Sequence, residues 1–402
     1  MHRITSLIIA FGCLACALPA AADDLPARLS ALGSNEWLAI EPEVSRRLVL
    51  EKRAIDSPVK TIESREPFFR EYSNPAWDSA RGQILYFGGG HSGYYGNDVE
   101  SFDPAANAWR QVNRPNCPPP DDSTYYSGGS ERSFLDAKTG EGQPYVIHGY
   151  CRTGYDPALK RFVCTAMFPA LAPSPGSSAA KKQAFSYISF DPVKNRWELL
   201  AEMPDPLKPG LTSLSYDSDL AAMLAFNERE AWIFRAGKWE RFGESKVRLA
   251  ASGGSGAVYV PSLKSHLIAV LGHGGKEERG ALALFSTETK SGKELSSLPQ
   301  PLKHRIAPGT GAYNLILSYD SKHGRVVVMS VNEERKPDVW TWDPATDTWK
   351  QQPVAATAPQ LVGPFEPGRG RSPLMYDAAR NVFYLLYRHG EYARLWAYRL
   401  EK

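Results

Sequence analysis

The sequence has little of three things that would narrow its function at once: cysteine, net charge and long apolar runs. It contains only five cysteines in 402 residues. Its formal net charge of +3 is small, which gives no reason to expect a nucleic-acid partner. Beyond the N-terminus no segment approaches the ~20 apolar residues that span a bilayer, so we expect no membrane span. These absences favour a globular domain, which we expect to be a monomer.

The N-terminus is typical of a secretory signal. His2 and Arg3 provide a charged start, an apolar stretch follows at 4–18, and three alanines at 20–22 fit a cleavage site. We predict that residues 1–22 are a signal peptide and that 23–402 form one domain in the periplasm or outside the cell. Lipidation at Cys13 or Cys16 is the alternative.

Glycine, proline and aromatic residues are abundant, with 33 glycines, 31 prolines and 11% aromatics. That composition indicates strands joined by tight turns. One motif recurs, in which an aromatic residue precedes a polar turn and a new apolar run. It begins six times, at Trp77, Tyr155, Tyr216, Tyr259, Tyr319 and Tyr376. Each occurrence predicts a β-hairpin.

A second hairpin motif follows the first, as in "FDPAANAW" at 102–109 and "WDPATDTW" at 342–349. The pair of motifs recurs every 43 to 78 residues, as the four-stranded blades of a β-propeller would with insertions. The sequence therefore predicts an all-β, six-bladed propeller with an insertion at about 113–145. A degenerate hairpin within 38–70 or 117–145 would make it seven-bladed.

The last unit lacks a fourth strand, because too little chain remains after Tyr376. The unassigned segment "NEWLAI" at 35–40 carries Trp37 where the final strand of other units has a tryptophan. We predict that this N-terminal strand pairs with the last strand and closes the ring, which removes an exposed edge.

The stretch "GGGHSGYYGN" at 88–97 and the aromatic that follows carry a resemblance to a known family. Gly88, Gly89, Tyr94, Tyr95 and Trp109 together resemble the Kelch repeat of the galactose oxidase/Kelch superfamily. The resemblance implies a Kelch-type propeller that binds proteins, sugars or small ligands. Physically, glycines at the end of a second strand allow a sharp turn with positive φ, and turning could be their whole role.

Connections after the second strand of each blade, and connections between blades, emerge on one face of such a ring. Polar and aromatic side chains gather there. The candidate ligand-binding residues are Tyr72, Asn74, Tyr94, Tyr95, His273, Arg279, Arg335, Arg388 and His389. Arginine forks suit carboxylate and sulfate, and flat aromatics suit sugar rings. We therefore expect an anionic polysaccharide or an envelope component as the partner, although solvated loop arginines would give the same pattern.

The opposite face receives the turns of the hairpin motifs. Seven aspartates lie in these turns, and they predict an acidic face opposite the basic one. They are Asp103, Asp156, Asp191, Asp217, Asp320, Asp343 and Asp377.

The chain is also similar to the propeller-fold ulvan lyases, through "GGGH" in an early blade. That likeness implies β-elimination on a uronate polymer, which requires a base, an acid and a carboxylate clamp. His91 would be the base or acid, Tyr125 or Tyr126 its partner, and Arg132 the clamp. Tyr72 and Asn74 stand where a second histidine would be expected. Whether the protein is an enzyme is therefore left open: a carbohydrate-binding propeller is favoured, and a polysaccharide lyase is the alternative.

Three cysteines remain after removal of the signal, which is an odd number for a disulfide framework. Cys117, His148, Cys151 and Cys164 could hold a structural zinc ion. A Cys151–Cys164 disulfide or free thiols are the alternatives. The sequence predicts no other cofactor.

Overall fold

The computed structural model describes residues 24–50, 59–70, 73–89, 94, 96–115, 134–135, 142–144, 152–167, 185–207, 212–249, 256–270, 281–305, 315–361 and 374–401. The predicted signal peptide at 1–22 lies outside these residues. No helix in the described part of the chain is long and apolar enough to cross a bilayer.

The chain begins with a short helix and three strands: α1 (Leu25–Ala31), β1 (Glu36–Ile40), β2 (Ser45–Leu50) and β3 (Val59–Ser64). Asp24 caps α1 by accepting a hydrogen bond from the Ala27 amide. Strands β2 and β3 form a separate two-stranded hairpin. The hairpin is not a blade, although it falls in one of the two regions where the sequence left room for a seventh.

Six four-stranded antiparallel sheets follow, and five of them are contiguous in sequence. Blade 1 comprises β4 (Ala76–Asp78), β5 (Gln83–Tyr86), β6 (Glu100–Asp103) and β7 (Ala108–Gln111). A small hairpin, β8 (Phe134–Leu135) with β9 (Gly142–Gln143), precedes blade 2. Blade 2 comprises β10 (Thr153–Asp156), β11 (Arg161–Met167), β12 (Phe185–Asp191) and β13 (Arg196–Glu202). Blade 3 comprises β14 (Ser213–Asp217), β15 (Ala222–Phe226), β16 (Glu230–Arg235) and β17 (Lys238–Glu244).

Blade 4 comprises β18 (Gly256–Val260), β19 (Ser265–Val270), β20 (Ala281–Ser286) and β21 (Ser291–Glu294), with a 3-10 turn at Pro261–Leu263. Helix α2 (Gln300–Arg305) leads to blade 5, which comprises β22 (Ile316–Asp320), β23 (Arg325–Val331), β24 (Pro337–Asp343) and β25 (Thr348–Gln351). Blade 6 comprises β26 (Leu374–Asp377), β27 (Val382–His389) and β28 (Tyr392–Arg399), completed by β1.

The ring closes by pairing the N-terminal strand with the C-terminal one, as the sequence predicted. Strand β1 is antiparallel to β28, with Trp37 opposite Tyr398 and Ile40 opposite Leu395. The rings of Trp37 and Tyr398 stack at 4.6 Å. The innermost strands β4, β10, β14, β18, β22 and β26 contact one another in cyclic order. The six-bladed propeller predicted from the hairpin motifs is therefore confirmed.

The sheet faces of adjacent blades pack against each other to make the core. Between blades 6 and 1, Trp109, Tyr384 and Phe102 are buried in one apolar cluster, and Leu25 of α1 joins it. Such clusters recur around the ring. Because neighbouring blades share each cluster, removing one blade's contribution would expose two interfaces.

Strand alternation gives the molecule two faces. The turn face holds the turns between first and second and between third and fourth strands of each blade. The loop face holds the remaining connections. Gly88 and Gly89, where β5 leads to the loop face, have φ of 107° and 146°. The expectation that these glycines adopt positive φ is therefore confirmed.

The aspartates on the turn face do not form the acidic surface that the sequence predicted. Five of the seven, namely Asp156, Asp191, Asp217, Asp320 and Asp377, are buried. Their side chains accept hydrogen bonds from amides of the following turn, as Asp217 does from Asp219 and Leu220. The prediction of an acidic face was wrong because these carboxylates hold the turns together.

The aromatic residue before each turn reaches toward the neighbouring blade. Burial and the nearby Asp78 of blade 1 raise the pKa of Tyr155 in blade 2, and burial and Asp320 do the same for Tyr376. Blade 4 has Val260 where its neighbours have aspartate. Next to it, the buried His266 of β19 contacts Ser215 and Asp217 of blade 3.

Candidate functional site

The loop face at blade 6 brings together several of the predicted ligand-binding residues. Arg388 and His389 end β27, and Arg335 lies in the turn between β23 and β24 of the adjacent blade 5. Burial raises the pKa of Tyr387 to about 12, and the nearby Arg335 and Arg388 oppose the rise. Tyr387 thus has two guanidinium groups near it, one from each blade. Arg335 and His389 are exposed, the His389 side chain by 58%.

The segment that precedes blade 1 lies beside these residues. Its backbone bridges the turn of blade 6: Phe69 donates to Glu391 at 2.9 Å, and Ala393 donates to Pro67 at 2.8 Å. This short bridge sets Phe68 opposite Tyr392, and their rings stack at 5.2 Å. Both residues are half-buried.

The charged groups around the two rings are partly paired. Arg394 donates to Glu66 at 2.7 Å, and the Nδ1 atom of His389 lies 3.7 Å from the same carboxylate. The guanidinium of Arg388 lies over the ring of Phe69 at 5.5 Å. We call this surface the blade 6 rim, defined by Phe68, Arg335, Arg388, His389, Tyr392 and Arg394.

A buried charge cluster supports the rim from below. Arg70 pairs with Asp98 at 3.1 Å, and Arg47 of the β2–β3 hairpin pairs with Glu100 at the same distance. All four side chains are at most 3% exposed. Burial raises the pKa of Glu100 to about 7, although the two nearby arginines oppose the rise. The cluster fixes the segment that carries Phe68, since Arg70 ends that segment.

Tyr94 and Asn74, both predicted to bind ligand, are buried rather than part of an open surface, and their binding role stays a prediction. Tyr94 is 3% exposed, with its ring stacked on Phe68 at 5.4 Å and lying 4.8 Å from the guanidinium carbon of Arg70. Asn74 is 8% exposed, and its carbonyl accepts a hydrogen bond from Thr153. The sequence pattern places both residues in connections on the loop face, but neighbouring side chains cover them there.

The other predicted residues lie outside the described part of the chain. They are the proposed catalytic set His91, Tyr125, Tyr126 and Arg132, the ligand-binding residues Tyr72, Tyr95, His273 and Arg279, and the metal candidates Cys117, His148 and Cys151. Their roles stay predictions.

Cys164 is the one metal candidate that the structure describes. It is a free thiol on β11, fully buried, opposite Ile188 in the core between blades 1 and 2. Burial raises its pKa, which opposes the thiolate form that binds metal. Among the described residues no three His, Cys, Asp or Glu side chains are grouped as a metal site requires.

Sequence reasoning missed Phe68 and Tyr392, the aromatic part of the rim. Both adjoin charged residues, in "EPFFRE" at 66–71 and "GEYAR" at 390–394. Aromatics flanked by Arg and Glu, in a connection for Phe68 and at the start of a strand for Tyr392, are the signal that could have found them.

Comparisons with known proteins support the fold and go no further. No protein-family model matches the chain, and no curated protein matches it in sequence. A structural genomics protein of unknown function from Bacteroides thetaiotaomicron VPI-5482 is similar in structure, with a TM-score of 0.52 and 7% identity over 91% of this chain and 76% of that one. TolB from Acinetobacter baumannii has a TM-score of 0.38 and 12% identity, over 73% of this chain and 56% of that one. The Kelch likeness therefore stays a prediction.

Proposed function

We propose that the protein is an exported, Kelch-type ligand-binding propeller whose blade 6 rim takes an anionic carbohydrate. The observation that carries the proposal is the pairing of two half-exposed aromatic rings, Phe68 and Tyr392, with exposed cationic or titratable groups. Ring edges and faces contact the apolar side of a sugar, while guanidinium forks bind carboxylate or sulfate groups. Glu66 adds an acceptor for sugar hydroxyls at the same place.

Charge favours an acidic sugar over a neutral one. Arg335 is exposed in its turn and, within the described residues, forms no ion pair, while the single carboxylate of Glu66 is shared by Arg394 and His389. A uronate or sulfated unit would supply the missing negative charge.

The test is calorimetric titration with alginate, glycosaminoglycan and neutral glucan oligosaccharides at two salt concentrations. Acidic oligosaccharides should bind more tightly, and salt should weaken them. Arg335→Ala should lower that affinity by about tenfold, a loss of about 1.4 kcal/mol. Arg229→Ala is the matched control, because Arg229 is also exposed on the loop face but lies in blade 3.

Equal affinity for neutral and acidic oligosaccharides, or equal losses in the two variants, would contradict the proposal. The same titrations distinguish the lyase alternative. Release of unsaturated uronate, detected by its ultraviolet absorbance, would identify an enzyme, and His91→Ala should then abolish the release.

A further inference from the structure

Blade 2 exposes two large apolar side chains at the tips of its turns. Val193 is 74% exposed and Leu159 is 40% exposed, which puts both among the few exposed large hydrophobic residues of the described chain. Leu159 lies in the turn between β10 and β11, and Val193 lies in the turn between β12 and β13. Both turns lie on the turn face, whereas the blade 6 rim lies on the opposite, loop face. Two strand spacings separate them, about 10 Å.

Basic residues accompany both apolar tips. Lys160 follows Leu159 and Lys194 follows Val193, and both lysines are exposed. Lys160 has no acidic partner within the described residues, and Lys194 lies 3.9 Å from Asp191 with its side chain 59% exposed. Two exposed lysines elsewhere on this face are paired closely, Lys238 with Glu240 and Lys264 with Glu288. Blade 2 therefore differs in combining apolar tips with accessible ammonium groups.

The acidic residues of the two turns are withdrawn from the surface. Asp156 accepts the Leu159 amide at 3.0 Å, and Asp191 accepts the Val193 and Lys194 amides at 2.9 and 3.1 Å. Arg161 bridges the turns by contacting Asp191 and Glu198. These bonds hold the tips in place before anything binds, so little conformational entropy is lost on docking.

We propose that this blade 2 tip, defined by Leu159, Lys160, Val193 and Lys194, docks the protein on an anionic lipid surface. Interfacial binding combines shallow burial of apolar side chains with attraction of Lys and Arg to acidic headgroups. The two apolar groups of the tip stand apart on separate turns, which suits a fluid layer. A protein partner would need two pockets at the matching spacing. This inference is independent of the proposed ligand at the blade 6 rim.

Sedimentation with vesicles tests the proposal on the full mature chain. Vesicles of equal parts phosphatidylglycerol and phosphatidylcholine should bind the protein, and vesicles of phosphatidylcholine alone should not. Lys194→Glu should weaken binding by about fivefold or more, and added salt should weaken it further. Val193→Asp should reduce binding at least as strongly, without change in the thermal unfolding midpoint, because the side chain is exposed.

Val354→Asp provides the matched control, since Val354 is also exposed, by 44%, but lies after β25 in blade 5. It should bind vesicles like the unaltered protein. Equal binding to both vesicle types, binding that Val193→Asp leaves intact, or loss of binding in Val354→Asp would overturn the proposal. A concentration-dependent dimer that Val193→Asp disrupts would also overturn it, because a second copy would then occupy the tip.

Discussion

Ala221 occupies a left-handed backbone position, with φ of 47°, in the turn between β14 and β15. A Cβ atom is unfavourable there, and glycine occupies the corresponding position in blades 1 and 5, at Gly82 and Gly324. Ala221→Gly should therefore stabilise the protein, by about 0.5 kcal/mol after the entropic cost of glycine. Urea unfolding measures the change. Ala379→Gly, in a turn of blade 6 without positive φ at that residue, should give no gain, and a loss in Ala221→Gly would refute the argument.

His266 makes stability depend on pH at the level of a single side chain. Its Nδ1 atom lies 2.9 Å from the Ser215 hydroxyl, and its Nε2 atom lies 3.4 Å from Asp217. Complete burial lowers its pKa, although Asp217 opposes the shift. The unfolded chain takes up a proton near pH 6.5, while the folded protein does so only at lower pH. Stability should therefore be full above that pH and fall below it, by up to about 1.4 kcal/mol per pH unit.

The measurement is the free energy of unfolding between pH 7 and pH 5, compared with His266→Gln. Glutamine can still bond to Ser215 but does not titrate, so the variant should be less stable yet lose much of this slope. Asp217 has a lowered pKa and would act only at more acidic pH. A glutamine variant with an unchanged slope would show that another group is responsible.

Among the structural elements, the sequence predicted the strands and turns that are determined by residues adjacent in the chain. The aromatic-aspartate turns predicted six blades, because each turn is specified by a few adjacent residues. The pairing of residues 35–40 with the last strand was predicted because the sixth blade otherwise lacked its fourth strand. The β2–β3 hairpin was anticipated only as a possible seventh blade within 38–70. Its attachment to blade 1 was not predicted, since Arg47 pairs with Glu100, which lies far along the chain. The burial of Tyr94 was not predicted for a similar reason: its sequence neighbours suggest an open loop, but Phe68 and Arg70 cover it.

The attachment of the β2–β3 hairpin can be tested with two neighbouring arginines. Arg47 is buried against Glu100, whereas Arg46 pairs with Glu63 in solvent, with side chains 79% and 59% exposed. Arg47→Met should cost about 3 kcal/mol, because it leaves a buried carboxylate without its partner. Arg46→Met should have no measurable effect. Unfolding in urea measures both changes. Similar losses of unfolding free energy in the two variants would contradict the proposal that the buried Arg47–Glu100 pair attaches the hairpin.

The whole molecule presents two unlike faces. The blade 6 rim lies on the loop face, and the blade 2 tip lies on the turn face. If both proposals hold, docking through the tip directs the rim away from the lipid surface, toward soluble or wall-bound polysaccharide. The two can fail separately, since Val193→Asp should leave carbohydrate affinity unchanged and Arg335→Ala should leave vesicle binding unchanged.

Closure of the ring is a property of the whole molecule, because β1 and β28 come from opposite ends of the chain. Leu38 and Ala397 are direct partners in this pair, and the Cα separation of partners in antiparallel strands suits a disulfide. Leu38→Cys with Ala397→Cys should therefore stabilise the oxidised protein by about 3 kcal/mol or more relative to its reduced form, since the bond closes almost the entire chain. The comparison of thermal unfolding with and without reductant uses the same chain as its own control. Equal midpoints in the two states would contradict the prediction, because a bond between properly paired strands should stabilise the oxidised protein wherever unfolding begins.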